Sequence, residues 1–330
     1  FDLFRIVFNI NPFGHWEHDN YVLIQNQSLE TIASQNKISD DELQSKKKDW
    51  EKTLYNIREK RSKPRLDDKC LTSWNALMLK GYIDAYKAIG TESWLDTAIK
   101  NAEFIISKLW STEGHLWHTY KNGQASVNGF LEDYAAVIEA FIALYEATFD
   151  EKWLSYAKQL TDYTFEHFYK TEQGFFSFKS DLDALLVAPH YEIEDNVMPA
   201  SNSIMAKNLY RLSIYYHQNY YETISFKMIR SIIPLIDYPG AFSNWLDAFL
   251  DIDGNGKELA ICGKNAIDFG IQFNKKYIPN TILAGSDKTS TLPFLADRFI
   301  DGKDLFYVCE NKTCQLPKED FETACKDLIG

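Results

Sequence analysis

The sequence contains no apolar run long enough to cross a bilayer, and it has no excess of basic residues. It has 35 lysine and arginine residues against 47 aspartate and glutamate residues, which gives a net charge of −12. A nucleic-acid surface or an anionic membrane surface needs a positive field, so this composition argues against both kinds of partner. The short apolar runs argue against a membrane-spanning helix.

Cysteine is scarce and scattered. The five cysteines are odd in number, and their positions do not form a disulfide framework. Cys309 and Cys314 are too far apart along the chain for a CxxC redox or zinc motif. We therefore predict that all five are reduced thiols and that the protein is cytoplasmic. The sequence also lacks a phosphate-cradling glycine loop and a GxSxG nucleophile motif, and we predict neither a cofactor nor a metal site.

Aromatic residues are abundant, at 15% of the 330 residues. A chain of this length can form one large domain or two ordinary ones with a substantial core. Such aromatic richness accompanies either large helix–helix cores or sugar-binding clefts. The core is the more common reason, and it is the interpretation that we prefer for most of the tryptophans.

The strongest pattern is an internal repeat of helical hairpins. Apolar residues recur at helical spacing after Trp74, again after Tyr134, and again after Asn202, and each stripe is followed by a break and a second stripe. The segment "SWLDTA" at 93–98 in the first hairpin matches "KWLSYA" at 152–157 in the second. Helical hairpins that repeat in this way must stack on their neighbours to bury both faces.

The repeat predicts a mainly α protein of the α/α-toroid type. Common repeat families have units of roughly 33 to 47 residues, and the hairpins here are longer, which favours a toroid over an α-solenoid, the alternative architecture. We predict the toroid portion over residues 1–254. Residues 255–330 carry short β-branched and aromatic runs between turn signals, which predict a small α/β segment with a few strands and a final helix.

Acidic residues precede the first helix of each hairpin. They occupy the same place in the repeat, so parallel first helices would bring them to one end of the toroid, where we predict a site. The catalytic candidates are Asp67, Asp68, Asp133 and Asp195. The alternative is structural, because a carboxylate at a helix N-terminus also satisfies unpaired N–H groups and the helix dipole.

Further polar and aromatic residues lie beside these clusters. The substrate-binding candidates are Lys69, Trp74, Asn75, Tyr134 and Asn202. His115 and His118 flank Trp117, a spacing that suits acid–base chemistry or a metal, but a surface loop is the preferred explanation because no third metal ligand is evident.

Four segments resemble a known family. They are "RSKPRLDDKCLTSWNALM", "GFLEDYAAVIEAFIALYEATFDEKWLSYA", "EDNVMPASNS" and "YVCENKTCQLP". Together they resemble the thioredoxin-domain-containing proteins of the spermatogenesis-associated 20 type, and the likeness covers nearly the whole chain. Two positions depart from the family pattern: Ala76 stands where glycine is usual, and "PASNS" replaces "PSGNS".

The resemblance implies a thioredoxin-like domain followed by a six-hairpin glycosidase-like toroid, of which this chain matches the C-terminal part. The opening "FDLFRIVFNINPFG" fits that interpretation, so we expect a piece of a longer protein. We also expect an open arc of hairpins, with apolar surface on the first hairpin and with the missing thioredoxin-like domain as a partner.

Two functions remain open at this point. The first is binding or processing of a carbohydrate-like small molecule at the acidic end of the toroid. Hydrolysis would need one protonated and one ionised carboxyl group, whereas epimerisation would need His115 or His118 to reach the site. The second is a non-catalytic binding or scaffold module attached to the thioredoxin-like domain.

Overall fold

The computed structural model describes residues 1–14, 16, 20–184, 187–253, 256–310 and 312–329. The chain divides into two compact units, Phe1–Asp67 and Asp68–Gly330. The division proposed from sequence between residues 254 and 255 remains a prediction.

The first unit is a small helical cluster. Its helices are α1 (Asp2–Val7), α2 (Leu29–Asn36) and α3 (Asp40–Arg58). Val7, Ile32 and Leu43 are fully buried and form its core. Helix α3 begins where Ser39 Oγ accepts a hydrogen bond from the backbone N–H of Glu42 at 3.2 Å, which satisfies one of the unpaired donors of the first turn.

The second unit contains the predicted hairpins, α4 with α5, α6 with α7 and α8 with α9, followed by a shorter helix α10. The helical bounds up to this point are α4 (Thr72–Ile89), α5 (Glu92–Phe104), α6 (Leu131–Thr148), α7 (Lys152–His167), α8 (Ser201–Tyr215), α9 (Asn219–Ile232) and α10 (Ser243–Ile252). No helix in the described part of the chain has both the length and the apolar character needed to cross a membrane.

The first helices of the hairpins lie side by side and run in the same direction. Helix α6 packs against both α4 and α8, and almost all of its residues are buried because it is apolar on every side. Near the C-termini of the three helices, Lys87 on α4 and Arg211 on α8 both donate to Glu146 on α6, at 2.7 and 3.0 Å. The prediction of a mainly α fold built from hairpins with parallel first helices is confirmed.

Short strands connect the helices. They are β1 (Cys70–Leu71), β2 (Trp117–Lys121), β3 (Gln124–Asn128), β4 (Tyr169–Lys170) and β5 (Phe175–Phe176). Strands β1, β2 and β3 form an antiparallel sheet in which Leu71 pairs with Thr119. Because α4 begins directly after β1, this pairing places the β2–β3 hairpin at the N-terminus of α4. The hairpin was not predicted from the sequence.

The C-terminal region forms a four-stranded sheet. Its elements are β6 (Lys257–Cys262), α11 (Ala266–Asn274), β7 (Thr281–Ser286), β8 (Leu305–Glu310), β9 (Thr313–Cys314) and α12 (Phe321–Ile329). The strand order is β7-β6-β8-β9, with β6 parallel to β7 and antiparallel to β8. The predicted strands and final helix are confirmed, and α11 is an element that the sequence did not reveal.

Successive side chains of β6 point to opposite faces of the sheet, and both faces are buried against apolar residues. Ala260 and Cys262 point to the core shared with the helical hairpins. Leu259 and Ile261 point to the opposite side, where Phe306 completes a separate core beneath α11 and α12.

The prediction that all five cysteines are reduced is wrong for two of them. Cys309 and Cys314 are directly opposite in the β8–β9 hairpin and form a disulfide, whereas Cys70, Cys262 and Cys325 are free thiols. The spacing that ruled out a CxxC motif is the spacing of a tight hairpin, in which a cross-strand pair lies close enough to bond.

Candidate functional site

A cluster of polar side chains lies where α4, α6 and β2 meet. We call this region the mouth and define it by His118, Phe130, Glu132 and Asp133. Phe130 and Glu132 flank the start of α6, and His118 extends from β2, which the pairing with β1 holds against the start of α4.

Asp133 is fully buried and joins the N-termini of two helices. Its Oδ1 accepts from the backbone N–H of Ser73 on α4 at 2.9 Å. Its Oδ2 accepts from the backbone N–H of Phe130, just before α6, at 2.9 Å, and also from Nδ1 of His118 at 2.8 Å. Two first-turn donors are thereby satisfied by one carboxylate, whose charge also complements both helix dipoles.

His118 is oriented by this carboxylate. The bond from its Nδ1–H fixes the tautomer, so Nε2 is the acceptor of the neutral ring, and it makes no hydrogen bond to the described residues. The bond to Asp133 is the main cause that raises the pKa of His118 above its ordinary value, against the opposing effect of burial. The arrangement is a carboxylate–imidazole pair with an available nitrogen.

Glu132 supplies a second titratable group at the mouth. Burial, reinforced by the charge of Asp133, raises the pKa of the Glu132 carboxyl. His118, Glu132 and Asp133 each offer one potential metal-ligand atom, and these three atoms lie within 4.8 Å of one another. A divalent cation at this trio would have to compete with the hydrogen bonds that Asp133 already accepts, so the absence of a metal site remains our prediction.

Aromatic rings border the mouth. Phe130 stacks on Phe178 with ring centroids 4.9 Å apart, and His118 packs against Phe130 at 4.8 Å. The carbonyl of Phe178 accepts from the backbone N–H of Leu131 at 2.9 Å, which holds the loop after β5 against the start of α6. Half-buried aromatic rings next to hydrogen-bonding groups suit a ligand with both apolar and polar faces.

Asp195 repeats the role of Asp133 at the next pair of helices. Its Oδ1 accepts from the backbone N–H of Ala200 at 2.8 Å and from the hydroxyl of Ser203 at 2.9 Å, both at the start of α8. Its Oδ2 accepts from the backbone N–H of Asn244, at the start of α10, at 2.8 Å. The shared register predicted from sequence is present, but both carboxylates are buried instead of facing solvent, because helix N-termini surround them.

Asp67 and Asp68 are both exposed. Asp68 forms an ion pair with Lys121 on β2, and this hydrogen bond lowers the pKa of its carboxyl. Asp67 is the last residue of the first compact unit, whereas the other candidates belong to the second.

The substrate-binding candidates differ in how far their side chains are exposed to solvent. Trp74 is exposed, as is Lys69, and the half-buried Asn75 donates to the carbonyl of Leu71 at 2.8 Å within the first turn of α4. Tyr134 and Asn202 are fully buried, which corrects the prediction that they contact a ligand directly.

Both buried residues have structural contacts in place of ligand contacts. The hydroxyl of Tyr134 accepts from the backbone N–H of Leu116 at 2.9 Å. The side-chain amide of Asn202 exchanges two hydrogen bonds with the backbone of Phe176, each 2.9 Å long, which fixes β5 to the start of α8.

Sequence reasoning undervalued two residues of the mouth. It treated His118 as a loop residue and passed over Glu132 in favour of its neighbour Asp133. The available signal was the alternation in "WHTYK", which predicts a strand that could carry His118 to the start of the following helix. His115 instead bonds to Ser111 at 2.9 Å in the preceding turn.

The fold and the mouth together define a mainly helical protein of stacked hairpins, with a histidine–carboxylate pair at the N-termini of its first helices. In sequence, the chain is similar to human spermatogenesis-associated protein 20, with 29% identity over 94% of this chain and 42% of the human protein. The corresponding rat protein is 28% identical over 94% of this chain. An uncharacterised protein of Caenorhabditis elegans is 31% identical over 61% of this chain and 28% of its own length.

This chain thus spans about two-fifths of the length of the mammalian relatives, and over that part the expected resemblance is confirmed. The thioredoxin-like domain that the resemblance implies remains a prediction. No family model matches the sequence.

Solved structures give weaker likenesses. A family 76 α-mannanase of Bacteroides thetaiotaomicron is 16% identical with a TM-score of 0.47, over 71% of this chain and 66% of the enzyme. Cellobiose 2-epimerase of Bacillus thermoamylovorans is 15% identical with a TM-score of 0.42, over 49% of this chain and 44% of the enzyme.

Proposed function

We propose that the mouth carries out general acid–base chemistry on a carbohydrate-like small molecule. The observation that carries the proposal is the 2.8 Å hydrogen bond between His118 and the buried Asp133, which leaves Nε2 of His118 as an available base. His118 would transfer the proton, Glu132 would act as the second acid or base, and Asp133 would be a positioning residue.

Proton transfer next to a carbonyl fits this geometry better than glycoside hydrolysis. Hydrolysis uses two carboxyl groups that are free to meet the substrate and a water molecule. Asp133 and Asp195 already accept three hydrogen bonds each from the protein, so neither offers a free oxygen without breaking a helix N-terminus. An epimerase-like or isomerase-like reaction needs only the imidazole and one further acid.

The test is hydrogen exchange between a sugar and solvent. The chain is incubated in D2O with free aldohexoses and ketohexoses, and loss of the proton signal next to the carbonyl is followed by NMR. We expect exchange with the unaltered chain and a loss of about 10²-fold or more in His118→Gln, because that is the usual contribution of a positioned acid or base.

His167→Gln is the matched control for this test. His167 also pairs with a carboxylate, at 3.0 Å from Asp181, but it lies at the end of α7 and takes no part in the mouth. Exchange should persist in this variant. Exchange that survives His118→Gln, or its absence in the folded unaltered chain with every sugar tested, would contradict the proposal.

A non-catalytic binding or scaffold module is the second candidate. The saturation of Asp133 and Asp195 by helix N-termini favours it, since both residues then have a complete structural role. The resemblance stated above supports a thioredoxin-like domain of the same protein as the partner of such a module. Sugar binding without exchange, unaffected by His118→Gln, is the result expected in that case.

A further inference from the structure

The β8–β9 hairpin contains chemistry that the mouth does not use. Its cross-strand pair, Cys309 and Cys314, forms a disulfide at the open edge of the C-terminal sheet. Cys309 is 1% exposed, whereas Cys314 is partly exposed. Because Cys314 is the partly exposed member of the pair, a molecule from solvent can approach the bond from the Cys314 side.

A guanidinium group contacts both sulfurs. Nη2 of Arg298 is 3.1 Å from Sγ of Cys314, and Nη1 is 3.5 Å from Sγ of Cys309. Arg298 is held over the rings of Phe294 and Tyr307, at 4.6 and 5.1 Å from their centroids. A cation fixed beside a sulfur stabilises its thiolate, which makes that sulfur a better leaving group.

A buried carboxyl group lies beside the same bond. Glu258 on β6 is directly opposite Cys309 on β8 and is 1% exposed. No described residue makes a well-aligned hydrogen bond to either carboxyl oxygen, and the nearest donor is the backbone N–H of Lys312, so this buried group is poorly satisfied. The charged groups that act on it are Arg298, Lys312 and Glu310, and burial raises the pKa of Glu258 to about 7.

From this geometry we propose that Cys309 and Cys314 form a redox-active disulfide that exchanges with a dithiol, with Arg298 stabilising the leaving thiolate and Glu258 supplying its proton. A structural disulfide would need neither a cation on both sulfurs nor a buried, poorly satisfied acid beside it. The proposal is independent of the reaction at the mouth.

The exchange proceeds in two balanced steps. A thiolate of the dithiol attacks Sγ of Cys314 and forms a mixed disulfide, while the bond to Cys309 breaks and its electron pair goes to Sγ of Cys309. The second thiolate of the dithiol then attacks the mixed disulfide and releases the partner as an internal disulfide. Cys309 takes its proton from Glu258 and Cys314 takes one from water. The protein gains two electrons and the dithiol loses two.

The experiment measures reduction of the native 330-residue chain by dithiothreitol. Samples are quenched by alkylation, and the mass of the peptide that contains both cysteines reports the disulfide, while circular dichroism confirms that the fold is retained. We expect reversible reduction, with re-oxidation by oxidised glutathione. Arg298→Gln should slow reduction about tenfold, and Arg298→Lys should restore most of the rate.

Glu258→Gln tests the proton donor. In the unaltered chain, the rate per dithiothreitol thiolate should fall as the pH rises through about 7, because Glu258 then loses its proton. In Glu258→Gln this rate should not depend on pH. In the control Glu310→Gln, which alters an exposed carboxylate next to Cys309, the rate should show the same pH dependence as in the unaltered chain. The proposal is overturned if the disulfide is reduced only when the protein unfolds, or if the Arg298 and Glu258 variants react like the unaltered chain.

Discussion

Asp133→Asn separates the structural role of this carboxylate from its effect on His118. In the native protein, three donors converge on the two oxygens of Asp133: the backbone N–H groups of Ser73 and Phe130, and Nδ1–H of His118. Asparagine has one acceptor oxygen, and its NH2 group must then face at least one of the three donors. At least one buried hydrogen bond is therefore lost in either orientation of the amide.

The expected loss of stability follows from these contacts. A buried N–H left without an acceptor costs about 1–3 kcal/mol. Removing the charge that faces two helix N-termini costs about 0.5–1 kcal/mol more. We expect Asp133→Asn to lower the free energy of unfolding by about 1.5–4 kcal/mol, a large share of the roughly 5–15 kcal/mol typical of a folded domain.

The assay is urea denaturation followed by circular dichroism, in which the midpoint should fall without a change in slope. Asp195→Asn is the matched control, because Asp195 also joins two helix N-termini but contacts no histidine. Both variants should lose stability by similar amounts. A free energy of unfolding within about 0.5 kcal/mol of that of the unaltered protein for Asp133→Asn would refute the role of Asp133 as a link between α4 and α6.

Three further predictions concern other sites. Asp68→Asn should leave the urea midpoint of unfolding essentially unchanged, because both Asp68 and its partner Lys121 are exposed to solvent; a clear fall in the midpoint would show a structural pair. Glu146→Gln should lower the free energy of unfolding by about 3–5 kcal/mol, since Lys87 and Arg211 lose their buried anion. In the unaltered protein these two cations lower the pKa of Glu146 despite burial, so their ion pairs should stabilise the fold above about pH 4.5 and weaken as the pH falls through the lowered pKa. Equal stability of both proteins from pH 3 to 8 would refute this. Trp74 and Met78 are 62% and 59% exposed on α4. Replacing both by glutamine should therefore reduce the binding of a hydrophobic dye and the self-association measured by light scattering. Unchanged values would show that this surface does not drive self-association.

The repeat in the sequence was sufficient to predict the helical hairpins. Apolar spacing after Trp74 and Tyr134 is a local property, and it survives into α4 and α6 because each helix buries its apolar stripe against its neighbours, although α6 is buried on its other faces as well. The small elements were less predictable. Helix α11 is short, and strands β2 and β3 are stabilised by pairing with β1, a contact between segments that are distant in the sequence.

The positions of the acidic residues in the repeat could be predicted from the sequence, but their hydrogen-bonding role could not. The spacing correctly placed Asp133 and Asp195 at equivalent helix starts. It could not show that each carboxylate would also accept from the N-terminus of a second helix, because those donors, Ser73 and Asn244, belong to segments remote in the chain. The disulfide between Cys309 and Cys314 was missed for a related reason, since only the hairpin register brings the two sulfurs together.

The most direct test of the account is the titration of His118 in the intact chain, followed by NMR of its imidazole. The hydrogen bond to Asp133 should place the pKa of His118 above 6.5, and Asp133→Asn, in its folded form, should lower it. Because the folded-state pKa is raised, the stabilisation should be complete below about pH 6.5 and disappear as the pH rises through the folded-state pKa. A pKa at or below 6.5 that does not respond to Asp133→Asn would contradict the claim that this buried carboxylate prepares His118 for acid–base chemistry at the mouth.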